Sequence, residues 1–254
     1  VAVAGLLDHK TGTVLRSPNI TVLTGVPLLS ILSERFGLPV FVENDANAAA
    51  LGEKWLGAGK MFDSFILLTV GTGIGCGVVV NGNVLPVAAE AGHITIRDDG
   101  PSCGCGNTGC LEQYASASAV IGRAIREMEQ GKQSLLRGAY QGNIYKITAE
   151  DIYRAALDGD SLARTVLRDA GRVLGTGIGM LINLFSPDAV IVTGGLTGAW
   201  NIYGEAAIQE ASRRALPELF GRTRIVTSVH VDDAGLFGAA RLVFDNLSQV
   251  NKDQ

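Results

Sequence analysis

No apolar run in this 254-residue chain is long enough to span a bilayer, and its first residues lack the basic stretch that opens a secretory leader. The expected location is therefore the cytoplasm, with no membrane partner. There is also no basic stripe, and the formal net charge of −4 argues against a surface that grips nucleic acid through its phosphates. Aromatic residues are scarce at 6%, against 47% hydrophobic residues overall and 33 glycines. Aliphatic bulk punctuated by tight turns is the composition of an α/β protein, and the length suffices for one large or two modest domains. Histidine and cysteine are rare as well, with three and four copies. Clustered cysteines in a reducing compartment are explained better by metal than by disulfides.

That scarcity makes one stretch stand out. Between Glu90 and Glu112, EAGHITIRDDGPSCGCGNTGCLE, lie one of the histidines and three of the cysteines. His93, Cys103, Cys105 and Cys110 have the residue types and spacing of a tetrahedral Cys3His zinc site, and four protein ligands leave no open position, as in a structural zinc. The alternative is a glycine-rich loop that carries three thiols, two of them bridged; Cys103 and Cys105, one residue apart, would form a strained bridge. Glu90 and Glu112 flank the cluster. As isolated residues they would be solvated loop charges; beside a fixed imidazole, two carboxylates can accept hydrogen bonds from a polyhydroxylated ligand.

The remainder alternates strands and helices. VAVAGLLD reads as a strand, and DHKTGTVL as a hairpin with Gly12 at its tip. A helix is expected over Val26 to Phe36, with Pro27 in its first turn and Gly37 as its stop. A short strand, Val40 to Val42, then delivers Glu43, Asn44 and Asp45 to its carboxyl end, where open α/β sheets place ligands. Ala46 to Leu56 is an alanine-rich helix. Phe65 to Val70 is an apolar strand that enters GTGIGCG and returns through VVV, a hairpin whose tip could cradle phosphate or be a simple tight turn. Cys76 inside it reads as a buried small hydrophobe. Helices are expected over Tyr114 to Gln130, Thr148 to Asp158 (N-cap Thr148, with Asp151 at the third position) and Ser161 to Leu184. A second GTGIG, Gly175 to Gly179, falls inside the last of these and predicts close helix packing. DAVIVTGG is a buried strand ending in Gly194 and Gly195, where a ligand ring could lie on bare backbone or the chain simply turns. A helix from Gly204 to Leu216, a strand from Arg224 to Val231 and an alanine-rich closing helix complete the chain, with a polar tail after Leu247.

In this order, ENDANAAALGE, TVGTGIGCG, EAGH, CGCGNTGCLE and VTGG resemble the ROK family of sugar kinases and sugar-responsive repressors over nearly the whole chain. The resemblance implies the actin-like, ribonuclease H-like sugar-kinase fold: a small α/β domain of residues 1–46 plus 236–250, incomplete at its N-terminus, and a large α/β domain of residues 47–235 carrying the zinc loop, 93–110. It implies Asp45 as catalytic base, and Asn44, Asp45, Glu90, His93 and Glu112 as sugar contacts. Gly71, Thr72 and Gly73 are implied as a phosphate loop, and Gly194 with Gly195 as an adenosine-binding turn. The implied cofactors are structural zinc, ATP and magnesium, the implied substrate a hexose, most simply glucose, and the implied assembly a homo-oligomer.

Two departures from the family pattern stand out. The Asp-x-Gly-Gly-Thr phosphate loop is not in this sequence, which predicts roughly sixty further residues upstream and an inactive fragment without them; an upstream winged helix would instead mark a DNA-binding repressor. The approach PVAAEAGH also looks shorter than the family's, which bears on the shape of the sugar pocket.

Overall fold

The computed structural model of the chain describes residues 1–17, 20–230 and 233–250, without the side chains of 248–250. A central five-stranded sheet is the frame: β6 (Phe65–Val70), β7 (Ile74–Val80), β8 (Asn83–Val84), β9 (Ala189–Thr193) and β10 (Arg224–Thr227) lie in the order β10-β9-β6-β7-β8. β10, β9 and β6 run parallel, while β7 and β8 are antiparallel to their neighbours.

Because successive side chains in a strand point to opposite faces, FILLTV supplies two cores at once. Ile66, Leu68 and Val70 face one large cluster, whereas Phe65 and Leu67 face a second with Ala49, Ala50 and Ala234. β9 divides in the same way, Val190 and Val192 to the first and Ala189 and Ile191 to the second.

The remaining strands and first helices come from the start of the chain. β1 (Ala2–Val3) pairs in parallel with β5 (Glu43–Asn44), and β2 (Leu6–Asp8), β3 (Thr13–Arg16) and β4 (Val26–Pro27) form an antiparallel meander. Val3, Leu7 and Val14 are its buried apolar centre. α1 (Leu28–Phe36) follows, ending on left-handed Gly37, and α2 (Asp45–Leu56) leads into β6.

The large core is roofed by helices. α3 (Glu112–Ala115) and α4 (Ala117–Glu129) precede α5 (Ala149–Leu157), which opens on the expected Thr148–Asp151 capping box, and then α6 (Ser161–Phe185). α7 (Tyr203–Arg214) packs on α6 through a stripe of Gly171, Gly175 and Gly179, where added Cβ atoms would overlap the Tyr203 and Ala207 carbonyls and the Arg214 side chain. The second GTGIG is thus a packing surface, and Gly177 on its other side abuts Leu111. α8 (Pro217–Phe220) leads to β10, and α9 (Ala234–Val250) closes against α2, where Gly52 and Gly238 bring the two backbones together.

Several boundaries differ from the sequence reading. Val26 and Pro27 extend the meander rather than the helix, because the edge of a small sheet tolerates a proline that cannot donate. Strand pairing falls on Glu43 and Asn44 instead of Val40 to Val42. The helix expected over Tyr114 to Gln130 is broken at Ser116, whose backbone is extended and whose hydroxyl accepts from Ala119 N to start α4. β10 ends at Thr227, and Val231 lies outside the described residues, as does the tail from Asn251.

Candidate functional site

Asn44 shows how the sequence places the site. Its Oδ1 accepts from the backbone N–H groups of Ala46 and Asn47 at 2.9 and 3.1 Å, capping α2, while its Nδ2 donates to Gly5 O at 3.0 Å. The cap fixes Asp45 as the first residue of α2, with its carboxylate open to a cleft of about 850 Å³. Surrounding protein displaces water from that carboxylate and raises its pKa above the usual aspartate value, against hydrogen bonds from backbone N–H groups that pull the other way.

The far wall of the cleft carries the cysteine loop. Gly106 and Gly109 both adopt positive φ, and a Cβ on Gly109 would overlap the Arg97 carbonyl, so the loop closes only with glycine there. The ligand atoms of His93, Cys103, Cys105 and Cys110 all lie within 4.8 Å of one another. Tetrahedral zinc with Zn–S of about 2.3 Å and Zn–N of about 2.0 Å puts ligand atoms about 3.5 to 3.8 Å apart. Cys105 Sγ and Cys110 Sγ are 3.7 Å apart, and Cys103 Sγ and His93 Nδ1 are 3.6 Å apart. The donor set therefore fits a tetrahedral cation of this size. Burial pushes the Cys110 thiol up to about 12 and raises that of Cys103. A divalent ion held there would supply the charge that favours both thiolates. All four cysteines, buried Cys76 included, are free.

With Nδ1 turned to the sulfurs, His93 presents Nε2 to Glu90, whose Oε2 is 3.9 Å away. Glu112 lies on the other side, its Oε1 accepting from Cys103 Sγ at 3.1 Å and standing 3.6 Å from His93 Nδ1. The β6–β7 hairpin tip comes close: a Cβ on Gly73 would sit 2.8 Å from Glu112 Oε2. Gly194, at φ +100°, passes so near Val70 O that any side chain would collide.

The cleft brings together Asn44, Asp45, Gly71, Thr72, Gly73, Glu90, His93, Glu112 and Gly194. Gly195 is not among its lining residues, although it adjoins Gly194 and opens a 3-10 turn, Gly195–Ala199.

The sequence reading passed over three polar residues. Asn47 donates to Glu43 Oε1 at 3.1 Å and Val87 O at 3.4 Å, tying α2 to the segment before Glu90. His9 lines the cleft with Nδ1 3.6 Å from Glu43 Oε1, and Arg16 reaches the cysteine loop. The second Asn of NDAN, a turn into an otherwise alanine-rich helix, was a usable signal for the first; nothing local marks His9 or Arg16.

Residues 1–246 match the ROK family. The chain belongs to it. Among curated ROK relatives, the glucokinase of Thermotoga maritima is 38% identical over 247 residues, which span 96% of this chain and 78% of that protein. The xylose repressor of Caldicellulosiruptor bescii is 32% identical over 251 residues, spanning 97% of this chain and 62% of the repressor. Two solved structures are similar at nearly the same level. The Streptomyces griseus ROK family glucokinase, in complex with glucose and AMPPNP, superposes with a TM-score of 0.85 at 37% identity, covering 94% of this chain and 78% of that one. A ROK family transcriptional regulator, a homolog of the E. coli MLC protein, superposes with a TM-score of 0.86 at 34% identity, covering 95% and 60%. The chain thus spans less than two thirds of these two regulators and over three quarters of the two kinases. The fold is the actin-like fold of ROK sugar kinases. Among the described residues no helix is long and apolar enough to cross a membrane.

Proposed function

We propose that this ROK protein transfers the γ-phosphoryl group of ATP to a hexose, most simply to the 6-hydroxyl of glucose, with Asp45 as general base. The observation that carries the reading is the placement of the Asp45 carboxylate in one cleft with the His93 imidazole and the Glu90 and Glu112 carboxylates. Glucokinases at 36–39% identity support it.

In this reading the sugar lies between the cysteine loop and the α2 N-terminus. Glu90 and Glu112 accept from its hydroxyls, His93 Nε2 provides a ring-edge contact, and Asn44 donates from the amide hydrogen its contact with Gly5 leaves free. Asp45 takes the proton of the attacking hydroxyl; its raised pKa makes its carboxylate a stronger base than that of a solvated aspartate. Phosphoryl transfer needs alignment and charge neutralisation more than covalent help. Gly71, Thr72 and Gly73 form the hairpin tip that faces the phosphates, with the N–H groups of Thr72 and Gly73 toward them while that of Gly71 donates to Gly73 O at 3.0 Å, and bare Gly194, with Gly195 beside it, lies against the adenosine. Magnesium supplies charge neutralisation on the phosphates when the nucleotide binds. A zinc ion held by His93, Cys103, Cys105 and Cys110 supplies rigidity, fixing the ring orientation and tautomer of His93. Residues 1–46 with 236–250 and residues 47–235 are the two domains that flank the cleft, in keeping with their separate sheets and cores.

Xylose repressors at comparable identity support a second reading, a sugar-sensing domain without turnover. A coupled assay of glucose phosphorylation by the complete protein decides between them. Turnover that Asp45→Asn abolishes supports the kinase; glucose binding without turnover supports the sensor.

A further inference from the structure

Arg16 ends β3, on the hairpin side of the cleft, and its guanidinium crosses to the cysteine loop. Nη1 donates to Cys105 O at 2.9 Å and Nη2 to Gly104 O at 3.1 Å. These partners lie 88 and 89 positions away in the chain, and all three residues line the cleft. The planar fork of an arginine can meet two successive carbonyls at once, which an ammonium cannot.

The two peptide units concerned flank Cys105, and the second is held at both ends. Gly104 O accepts from Arg16. Cys105 O accepts from Arg16 while the next N–H, on Gly106, donates to Cys103 O at 3.0 Å. Gly106, at positive φ, ends this tight turn. The arginine thus reaches Cys103 through the Cys105–Gly106 peptide, and Cys103 Sγ lies 3.6 Å from His93 Nδ1.

We propose that Arg16 is a positioning residue: a clasp that joins the β2–β3 hairpin to the cysteine loop across the mouth of the cleft, so that hairpin and His93 close on the sugar as one unit. The proposal rests on the sugar-site reading above. The role of Arg16 is to set where His93 and the hairpin stand relative to one another. Because the guanidinium is exposed, its contribution is to geometry rather than to global stability.

The test compares the complete wild-type protein with Arg16→Ala and Arg16→Lys, measuring metal content by elemental analysis, glucose affinity by calorimetry, amide exchange across residues 103–110 by mass spectrometry, and steady-state kinetics. Arg16→Ala is expected to keep its metal and fold, exchange faster across the loop, and bind glucose about tenfold more weakly, the order expected for losing a charge-assisted hydrogen bond. KM is expected to rise with it while kcat stays within about twofold. Lysine, meeting one carbonyl at a time, is expected to fall between the two. Unchanged glucose affinity in Arg16→Ala overturns the proposal, as does loss of the metal, which would make Arg16 a support of the cage alone. A wild-type protein that binds no glucose refutes the sugar-site reading instead. Amide exchange then judges the clasp, and equal loop rates in the two proteins overturn it.

Discussion

His93 Nδ1 lies 3.6 Å from Cys103 Sγ, which leaves Nε2 facing Glu90 and the cleft. One ring thereby belongs both to the thiol cage and to the lining of the cleft, and in the proposed reading the chemistry of the first should be readable in sugar binding.

Metal removal is the direct check. A chelator that strips the cage should lower the melting temperature and weaken glucose binding together, since the ion orders both the loop and the imidazole. Cys110→Ser, which removes a fully buried ligand, should do the same without chelator. Glucose affinity that survives verified metal loss, read by calorimetry, would separate the two structures and remove the reason for the cage to stand where it does.

Asp45→Asn should lower kcat by about 10²- to 10⁴-fold, the range for a lost general base, while leaving the dissociation constant for glucose nearly unchanged. In the wild type the acid limb of kcat/KM should lie above the ordinary aspartate range, because the raised pKa keeps the carboxyl protonated to higher pH. A near-wild-type rate for the asparagine variant would refute the base assignment.

The same shift has a stability consequence of definite sign. A carboxyl whose folded pKa is raised favours folding in its neutral form, a contribution present below the unfolded value of about 3.9 and lost as pH rises through the folded one. Asp45→Asn should therefore melt higher than wild type at pH 7, with the gap narrowing as pH falls toward 4. Scanning calorimetry across that window checks it; a gap that widens on acidification contradicts the burial argument.

Asp160 illustrates the opposite sign. It is buried, which would raise its pKa, but Ala163 N, Ser134 Oγ and Leu135 N all donate to it and together hold the value below the usual aspartate range. Its stabilisation is present above about pH 3.9 and lost as pH falls through the depressed folded value. Asp160→Ala should cost about 1–3 kcal/mol at pH 7, as a lost N-cap and loop anchor. Urea titrations should show the difference shrinking at acid pH.

Two glycines of α9 make a paired test of the contact with α2. Gly238 has no room for a methyl group, because a Cβ there overlaps Ala48 O; the Cβ position of Gly235 has nothing within 4 Å. Gly238→Ala should cost about 1–3 kcal/mol or more by overpacking, whereas Gly235→Ala should be neutral or gain up to about 1 kcal/mol of helix propensity. Equal effects would contradict the close contact of α9 with α2.

Much of this was written locally. The spacing of His93, Cys103, Cys105 and Cys110 specified the cage because the four ligands lie within eighteen residues and glycines make the turns between them. FILLTV announced an apolar strand and the alanine run a helix from Ala46, whereas the cap from Asn44 that makes Asp45 its first residue came from the structure. The tertiary structure decided what depends on partners far along the chain. Val26 and Pro27 become a strand because β3 offers an edge, and Ser116 breaks a helix that the local sequence would have continued. The glycines of the second GTGIG acquire their role from α7. Arg16 could not be singled out in sequence, since an exposed arginine at a strand end means nothing until a loop 88 residues later turns two carbonyls toward it. Periodicity and ligand spacing are encoded in neighbouring residues; which surfaces meet across the cleft follows only once both cores have formed and set the distance between its walls.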